Sequence, residues 1–362
     1  MTLIELLIII LMVLYISYVV IETLYAKWLR KHFKYVIHVN GIRGKSTTTR
    51  LIDAGLREAG FKVFSKTTGT IPTYINTLNE EKRIFRFLGA NIKEQIKMMR
   101  LAKKEGAEVL VIECMAVNPT LQELSERIIL KSDITIITNV REDHIKDMGE
   151  NKDDISKAFA STIPTNGILI INEGEYENYF TKEAKKKNTI TYVASPYDGD
   201  TLGTFSENIA LALALQKALD LPYDKFYQGL KKYHKDYGAY EEFYDSEHTF
   251  INGLSVNDPQ SIEIVYNEVI KKYDKNDLTI LLNSRSDRPI RVKQHIELLN
   301  RLEYKDIILM GSNIGYIKKR LSNKNVIVYK DISTIKSKDI VFAIGNIKGK
   351  ALKILKYYKK EV

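Results

Sequence analysis

Val36-Ile37-His38-Val39-Asn40-Gly41-Ile42-Arg43-Gly44-Lys45-Ser46-Thr47-Thr48-Thr49-Arg50 carries an apolar strand into a tight glycine turn and then into a helix that opens on Lys-Ser-Thr. Two glycines let the backbone bend and come close to a ligand. The first amides of a helix lack internal partners and carry partial positive charge, so they suit a phosphate. Lys45 supplies a mobile cation for the outer phosphates, and the Ser46 hydroxyl can ligate Mg²⁺. Leu51, Ile52, Leu56 and Ala59 fall on one helical face, and Gly60 can end the helix. The loop is G-x-x-G-K-S, shorter than the standard phosphate loop, and Val39 stands where that pattern has its first glycine. A plain strand–turn–helix is the competing reading.

The chain of 362 residues has room for two or three domains. Its formal net charge of +10 suits an acidic substrate, a membrane surface or nucleic acid, and equally a solvated lysine-rich surface. The single cysteine, Cys114, excludes an intrachain disulfide and a cysteine-based zinc cluster. Residues 6–21 form an uncharged apolar run, preceded by Glu5 and followed by Lys27, Arg30, Lys31 and Lys34, with Tyr18, Tyr25 and Trp28 nearby. About 20 apolar residues span a bilayer. The positive flank and interfacial aromatics predict a single-pass anchor over 1–30, with the domains after it in the cytoplasm. A buried or interfacial helix is the alternative.

From residue 35 short apolar strands alternate with amphipathic helices. The strands are expected at 35–39, 61–64, 109–114, 134–140, 168–171 and 189–193, with helices over 91–104, 119–129 and 153–161. This pattern predicts an α/β fold with a central, P-loop-type, mostly parallel sheet over 31–249. Two helices come next, within 205–233. Residues 237–253 read as a short extended segment and linker. A smaller Rossmann-like α/β domain is expected over 250–362, with strands at 278–282, 307–310, 326–329 and 340–344. The lysines of its last helix read as a solvated face.

In such folds ligands sit beyond the carboxyl ends of the strands, and the polar clusters stand there. Glu113 ends a Val-Leu-Val-Ile strand. A carboxylate there needs a partner or a cation, and opposite a phosphate loop it suits Mg²⁺. Thr138-Asn139-Val140-Arg141-Glu142-Asp143-His144 gathers amide, carboxylates and imidazole after another strand, and suits a metal or phosphate. Lys66-Thr67-Thr68-Gly69-Thr70 is a hydroxyl-rich turn that can close over phosphates. Asp258 is placed to cap the helix opened by Pro259. Arg285, Arg288 and Arg291 come after a strand and suit phosphate or carboxylate.

In order and register these motifs resemble the Mur ligase superfamily of ATP-dependent amide ligases, over about residues 35–350. The most specific element is the T-N-x-x-x-D-H run at Thr138 to His144. Asn40 to Arg50, Lys66 to Thr70, Asn139 to His144 and Gly345-Asn346-Ile347-Lys348-Gly349 look most like the ligase subunits of poly-γ-glutamate synthases. The resemblance implies ATP and Mg²⁺ as cofactors. Gly41, Arg43, Gly44, Lys45, Ser46 and Thr47 would hold phosphates, and Asn208 would touch adenine. Ser46, Glu113 and His144 would serve the metal, and Asp258 with Arg285, Arg288 or Arg291 would close over the nucleotide. Lys45, Glu113, His144 and Arg288 would be the catalytic set. It also implies glutamate and a growing poly-γ-glutamate chain as substrates, an acyl-phosphate intermediate, small membrane-protein partners in a synthase and export complex, an oligomer, and no nucleic acid.

Two features depart from the wider family. Lys157, nearest to the place of a carbamylated lysine, has unconvincing spacing, and Gly238-Ala239-Tyr240-Glu241 lacks the usual arginine. The alternatives are a folate-polyglutamate or cell-wall ligase, and a P-loop NTPase that drives transport or polymer export.

Overall fold

The computed structural model describes residues 2–69, 71–86, 89–141, 145–149, 151–245, 248–286, 289–323 and 325–360. The chain forms two compact units, Met1–Asp236 and Tyr237–Val362. The first begins with helix α1 (Leu3–Arg30), β1 (Tyr35–Asn40), α2 (Lys45–Glu58), β2 (Val63–Thr67), β3 (Thr73–Ile75) and β4 (Glu81–Arg83). Next come α3 (Glu94–Lys104), β5 (Val109–Glu113), α4 (Pro119–Leu124), a π-helical turn (Ser125–Leu130) and β6 (Ile134–Ile137). It is completed by α5 (Ile145–Met148), α6 (Lys152–Ala160), β7 (Ile168–Asn172), α7 (Glu177–Lys186), β8 (Ile190–Ala194), α8 (Ser206–Ala218) and α9 (Tyr223–Lys231).

Its eight strands lie in the order β4-β3-β2-β5-β1-β6-β7-β8. The six from β2 to β8 are parallel, and β3 and β4 add an antiparallel edge. Both faces of the central strands are covered, which is why they read as continuous apolar runs. Ile37, Val39 and Val111 face α2, α8 and α9 through Leu51, Ile52, Leu211 and Phe226. Val36, Leu110 and Ile112 face the other way, onto Leu29 and Phe33 and onto Met98 and Met99 of α3. Each fully buried side chain of this kind contributes about 1.5–3 kcal/mol. The edge pair β3–β4 was not legible in the sequence, since Glu81, Lys82 and Arg83 are exposed and show no apolar alternation.

The second unit holds β9 (Glu241–Tyr244), β10 (Thr249–Asn252), α10 (Pro259–Lys272), β11 (Leu278–Ser284) and α11 (Pro289–Leu299). It continues with β12 (Asp306–Gly311), α12 (Ile314–Lys318), β13 (Val326–Val328), α13 (Ile332–Lys336), β14 (Ile340–Ile344) and α14 (Lys350–Tyr358). Its sheet order is β13-β12-β11-β14-β10-β9, parallel except for β9. The sequence pattern sets the domain change at residue 250, whereas the compact units part between Asp236 and Tyr237. The difference is β9, which pairs antiparallel with β10, Glu241 opposite Asn252.

Helices α2 and α9 pack closely because glycines stand at their crossing. A Cβ on Gly229 would lie 2.3 Å from the Ala54 carbonyl oxygen, and one on Gly55 would lie 2.6 Å from the Phe226 ring. Backbone cannot yield there as a flexible side chain would. Gly229→Ala is therefore expected to destabilise the chain by about 1–3 kcal/mol, read as a lowered midpoint in thermal unfolding. Gly315→Ala in α12, where a Cβ meets nothing within 4 Å, should raise that midpoint slightly, since alanine favours a helix over glycine by about 0.5–1 kcal/mol.

Candidate active site

The turn after β1 is fixed by its own polar side chains. Asn40 Oδ1 accepts from Gly41 N at 2.8 Å, and its Nδ2 donates to Gln122 Oε1 at 2.9 Å. Asn139, just beyond β6, grips the Arg43 peptide from both sides: Oδ1 accepts from Arg43 N at 3.0 Å, and Nδ2 donates to Arg43 O at 3.1 Å. Thr138 Oγ1 donates to the same carbonyl at 2.6 Å. Gly41 has φ +123°, and a Cβ on it would sit 2.1 Å from Thr138 Oγ1. Gly44 has φ +81°, and a Cβ there would meet Asn208 Oδ1 at 2.2 Å. Both glycines therefore answer to sterics as well as to backbone conformation.

Lys45 Nζ folds back onto the loop, donating to Gly41 O at 2.7 Å and Ile42 O at 3.1 Å. That places its ammonium over the turn, where a bound anion would compete for it. Ser46 Oγ donates to Glu113 Oε2 at 2.8 Å, and the Thr68 amide donates to the same oxygen at 2.6 Å. The Lys66–Ile112 register brings the end of β2 beside that of β5. Gly69 lies against Ser46, since a Cβ there would be 2.9 Å from its hydroxyl. Hydroxyl and carboxylate oxygens thus converge, a donor set suited to Mg²⁺. Thr47 is half-buried in the first turn of α2. Asn208, near the start of α8, accepts from Thr48 Oγ1 at 3.3 Å and donates to Thr204 Oγ1 at 3.0 Å. A cavity of about 300 Å³ opens beside Asn139, lined also by Asn172, Tyr176, Tyr197 and Glu207.

The structure thus brings Gly41, Arg43, Gly44, Lys45, Ser46, Glu113, Asn139 and Asn208 to one end of the sheet. His144 and Arg288 lie outside the described residues, as does Asp287. Asp258, in the second unit, caps α10 by accepting from Ser261 N at 2.9 Å. In the same unit Arg285 and Arg291 line a small hollow with Asn283, His295, Gly345 and Asn346. Lys157 is exposed and paired with Asp154 at 3.1 Å.

Two buried networks next to this site escape a reading of the sequence. Lys66, with an almost fully buried side chain, sits 2.9 Å from Glu94 Oε1, and Arg86 holds the same carboxylate through two bonds of 2.7 and 2.8 Å. Burial pushes the Lys66 ammonium below its usual range, while Arg86 and Lys66 hold Glu94 down against the opposing effect of its burial. The second network is His38, whose Nδ1 lies 2.9 Å from Glu126 Oε2. Glu126 Oε1 accepts from Ser132 N at 2.7 Å and Ser132 Oγ at 2.9 Å. Nε2 of His38 has no hydrogen-bond partner among the described residues, although Cys114 flanks the ring. Burial opposes charge on His38, yet Cys114 and Glu126 raise it to about 9. The available signal was a polar residue inside an apolar strand, which demands a buried partner.

Residues 39–212 match the Mur ligase middle domain, and residues 238–361 match the poly-gamma-glutamate synthase CapB C-terminal domain. The PGA synthase CapB of Bacillus subtilis (strain 168) is 34% identical over 358 residues, covering 89% of this chain and 91% of that protein. The capsule biosynthesis protein CapB of Bacillus anthracis is 32% identical over 345 residues, covering 87% of this chain and 74% of that protein. The crystal structure of the bifunctional folylpolyglutamate synthase/dihydrofolate synthase of Yersinia pestis, complexed with AMPPNP and Mn ion, superposes with a TM-score of 0.72. It covers 92% of either chain at 15% identity, a likeness of fold.

The raised His38 makes the His38–Glu126 pair a source of pH-dependent stability. A group whose pKa is higher when folded stabilises fully below its free value of 6.5 and loses that contribution as pH rises through about 9. Glu126→Gln should cost roughly 1–3 kcal/mol at about pH 6 and less at about pH 10, as read by urea unfolding at the two values.

Proposed function

We propose a reaction for this chain, which belongs to the CapB family of poly-γ-glutamate synthases and, through its middle domain, to the Mur ligases. It is an ATP-dependent amide ligase that adds glutamate to a growing poly-γ-glutamate chain. The observation that carries this reading is the Gly41–Ser46 turn, held by Asn139 and Asn208, with Glu113 hydrogen-bonded to Ser46.

The carboxylate of the acceptor chain attacks the γ-phosphorus of ATP. The bond from that phosphorus to the β,γ-bridging oxygen breaks, ADP leaves, and an acyl phosphate forms. The amine of the incoming glutamate attacks the acyl carbon. Phosphate departs, the nitrogen loses a proton, and a γ-amide remains. Negative charge spreads over the phosphoryl oxygens during transfer, so positioned cations and amides lower the barrier most. Lys45 releases its two loop carbonyls to take the β- and γ-phosphates, and the amides at the start of α2 face the same anion. Ser46 and Glu113 would hold one Mg²⁺, His144 would assist a second near the acceptor carboxylate, and the metal would neutralise phosphate charge.

Asn208 supports the adenosine side. Asp258, Arg285 and Arg288 belong to the second unit, which we read as Rossmann-like; the role proposed for them is contact with the nucleotide. The domain division we propose is an anchor over 1–30, a nucleotide-binding unit and a C-terminal unit. Residues 3–30 form a helix long and apolar enough to cross a membrane. The proposed setting is therefore the cell membrane, catalytic units on the cytoplasmic side, in an oligomeric complex with small membrane proteins.

Membranes containing the chain, given ATP, Mg²⁺ and glutamate, should yield ADP, phosphate and a γ-linked polymer. Lys45→Ala and Glu113→Ala should each reduce product by at least about a hundredfold while unfolding normally. ATP turnover that ignores glutamate and forms no amide would sink the ligase reading in favour of an NTPase.

A further inference from the structure

Helix α1 is clamped to the first unit at two heights. At its lower end Arg30 Nε donates to Lys131 O at 2.9 Å, and Arg30 pairs with Asp133 at 2.6 Å. Asp133 accepts from Val36 N at 2.7 Å, so this clamp sits at the amino ends of β1 and β6. Higher up, Lys93 Nζ bonds Glu22 at 2.8 Å and stands 4.9 Å over the Tyr18 ring. Lys93 precedes Glu94, which holds Lys66 near the carboxyl end of β2, and two residues on Thr68 bonds Glu113. A short chain of contacts thus joins Glu22 to the catalytic end of the sheet.

The lengths agree. Twelve residues of helix from Tyr18 to Arg30 rise about 18 Å, and the five steps of β1 from Tyr35 to Asn40 rise about 17 Å. Tyr18 therefore stands level with the carboxyl ends. Residues 3–17 of α1 are exposed and continue about 22 Å beyond that level, most of a hydrocarbon core of about 30 Å. Tyr18 and Lys93 are the residue types that settle at headgroup depth. Phe85 adds an apolar side chain there, 75% exposed and adjoining Arg86, which bonds Glu94.

We infer that the carboxyl ends of the first unit's strands, with the phosphate loop and Glu113, face the bilayer, while the amino ends face away. The inference rests on the membrane reading of α1. The partner it assigns to Phe85, Tyr18 and Lys93 is the lipid interface, and it makes the polymer on the membrane side of the unit.

The test uses the full chain in vesicles of phosphatidylcholine and phosphatidylglycerol that also contain a headgroup spin-labelled lipid as quencher. An environment-sensitive fluorophore is attached at Phe85→Cys or Ala90→Cys near the carboxyl ends, or at Lys62→Cys at the amino end of β2. Cys114 is 2% exposed and stays unlabelled. Quenching should be several-fold stronger at the first two positions than at the third. Equal or reversed quenching in protein that floats with the vesicles would overturn the orientation and leave the anchor standing. Protein that does not float would overturn the anchor and the orientation together.

Discussion

The double grip of Asn139 on the Arg43 peptide is the contact on which the glycine turn at the carboxyl end of the sheet depends. One side-chain amide satisfies both an N–H and a C=O of a turn that cannot pair with itself. The turn holds two positive-φ glycines against Thr138 and Asn208. Because Asn139 comes after β6 and Asn208 lies in α8, the loop is templated by two separate pieces of chain. The loop is held in this form by side chains rather than by ligand.

Charge is arranged around that loop with the same economy. Glu113 is only 3% exposed. Among the described residues its donors, Ser46 and the Thr68 amide, meet one oxygen, a weak substitute for a cation at a buried carboxylate. Lys45 occupies carbonyls of its own loop. Phosphate and metal at these two groups would add charge-assisted bonds, which are stronger than neutral ones.

Much of this was legible in the sequence, for reasons that differ by element. The central strands showed as apolar runs because both faces are covered. The glycine turn and its Lys-Ser helix start showed because local sterics and unpaired amides constrain residue type directly. Glu113 showed because a carboxylate at a buried strand end is conspicuous. Exposed β4, with Glu81, Lys82 and Arg83, left no pattern. β9 looked like linker because its place is set by pairing with β10. The partners of His38 and Lys66 could not be read at all: Glu126 lies 88 positions away along the chain, and its reach depends on a π-helical turn. Asp258 was legible as a helix cap, and that is the contact it makes in its own unit.

The docking of α1 also decides where this chain can be shortened. Composition suggests cutting where the hydrophobic stretch meets the basic flank, near residue 30. Ala26, Leu29 and Phe33 belong to the domain core, however, and Arg30 caps the strand entry through Asp133. A cut at that point would strip wall from the nucleotide-binding unit and expose Met98 and Met99 to water. Truncation ahead of Tyr18 removes only exposed side chains among the described residues. The boundary between the exposed apolar stretch and the domain thus falls inside one continuous helix, and a shortened chain must keep that helix from Tyr18 onward.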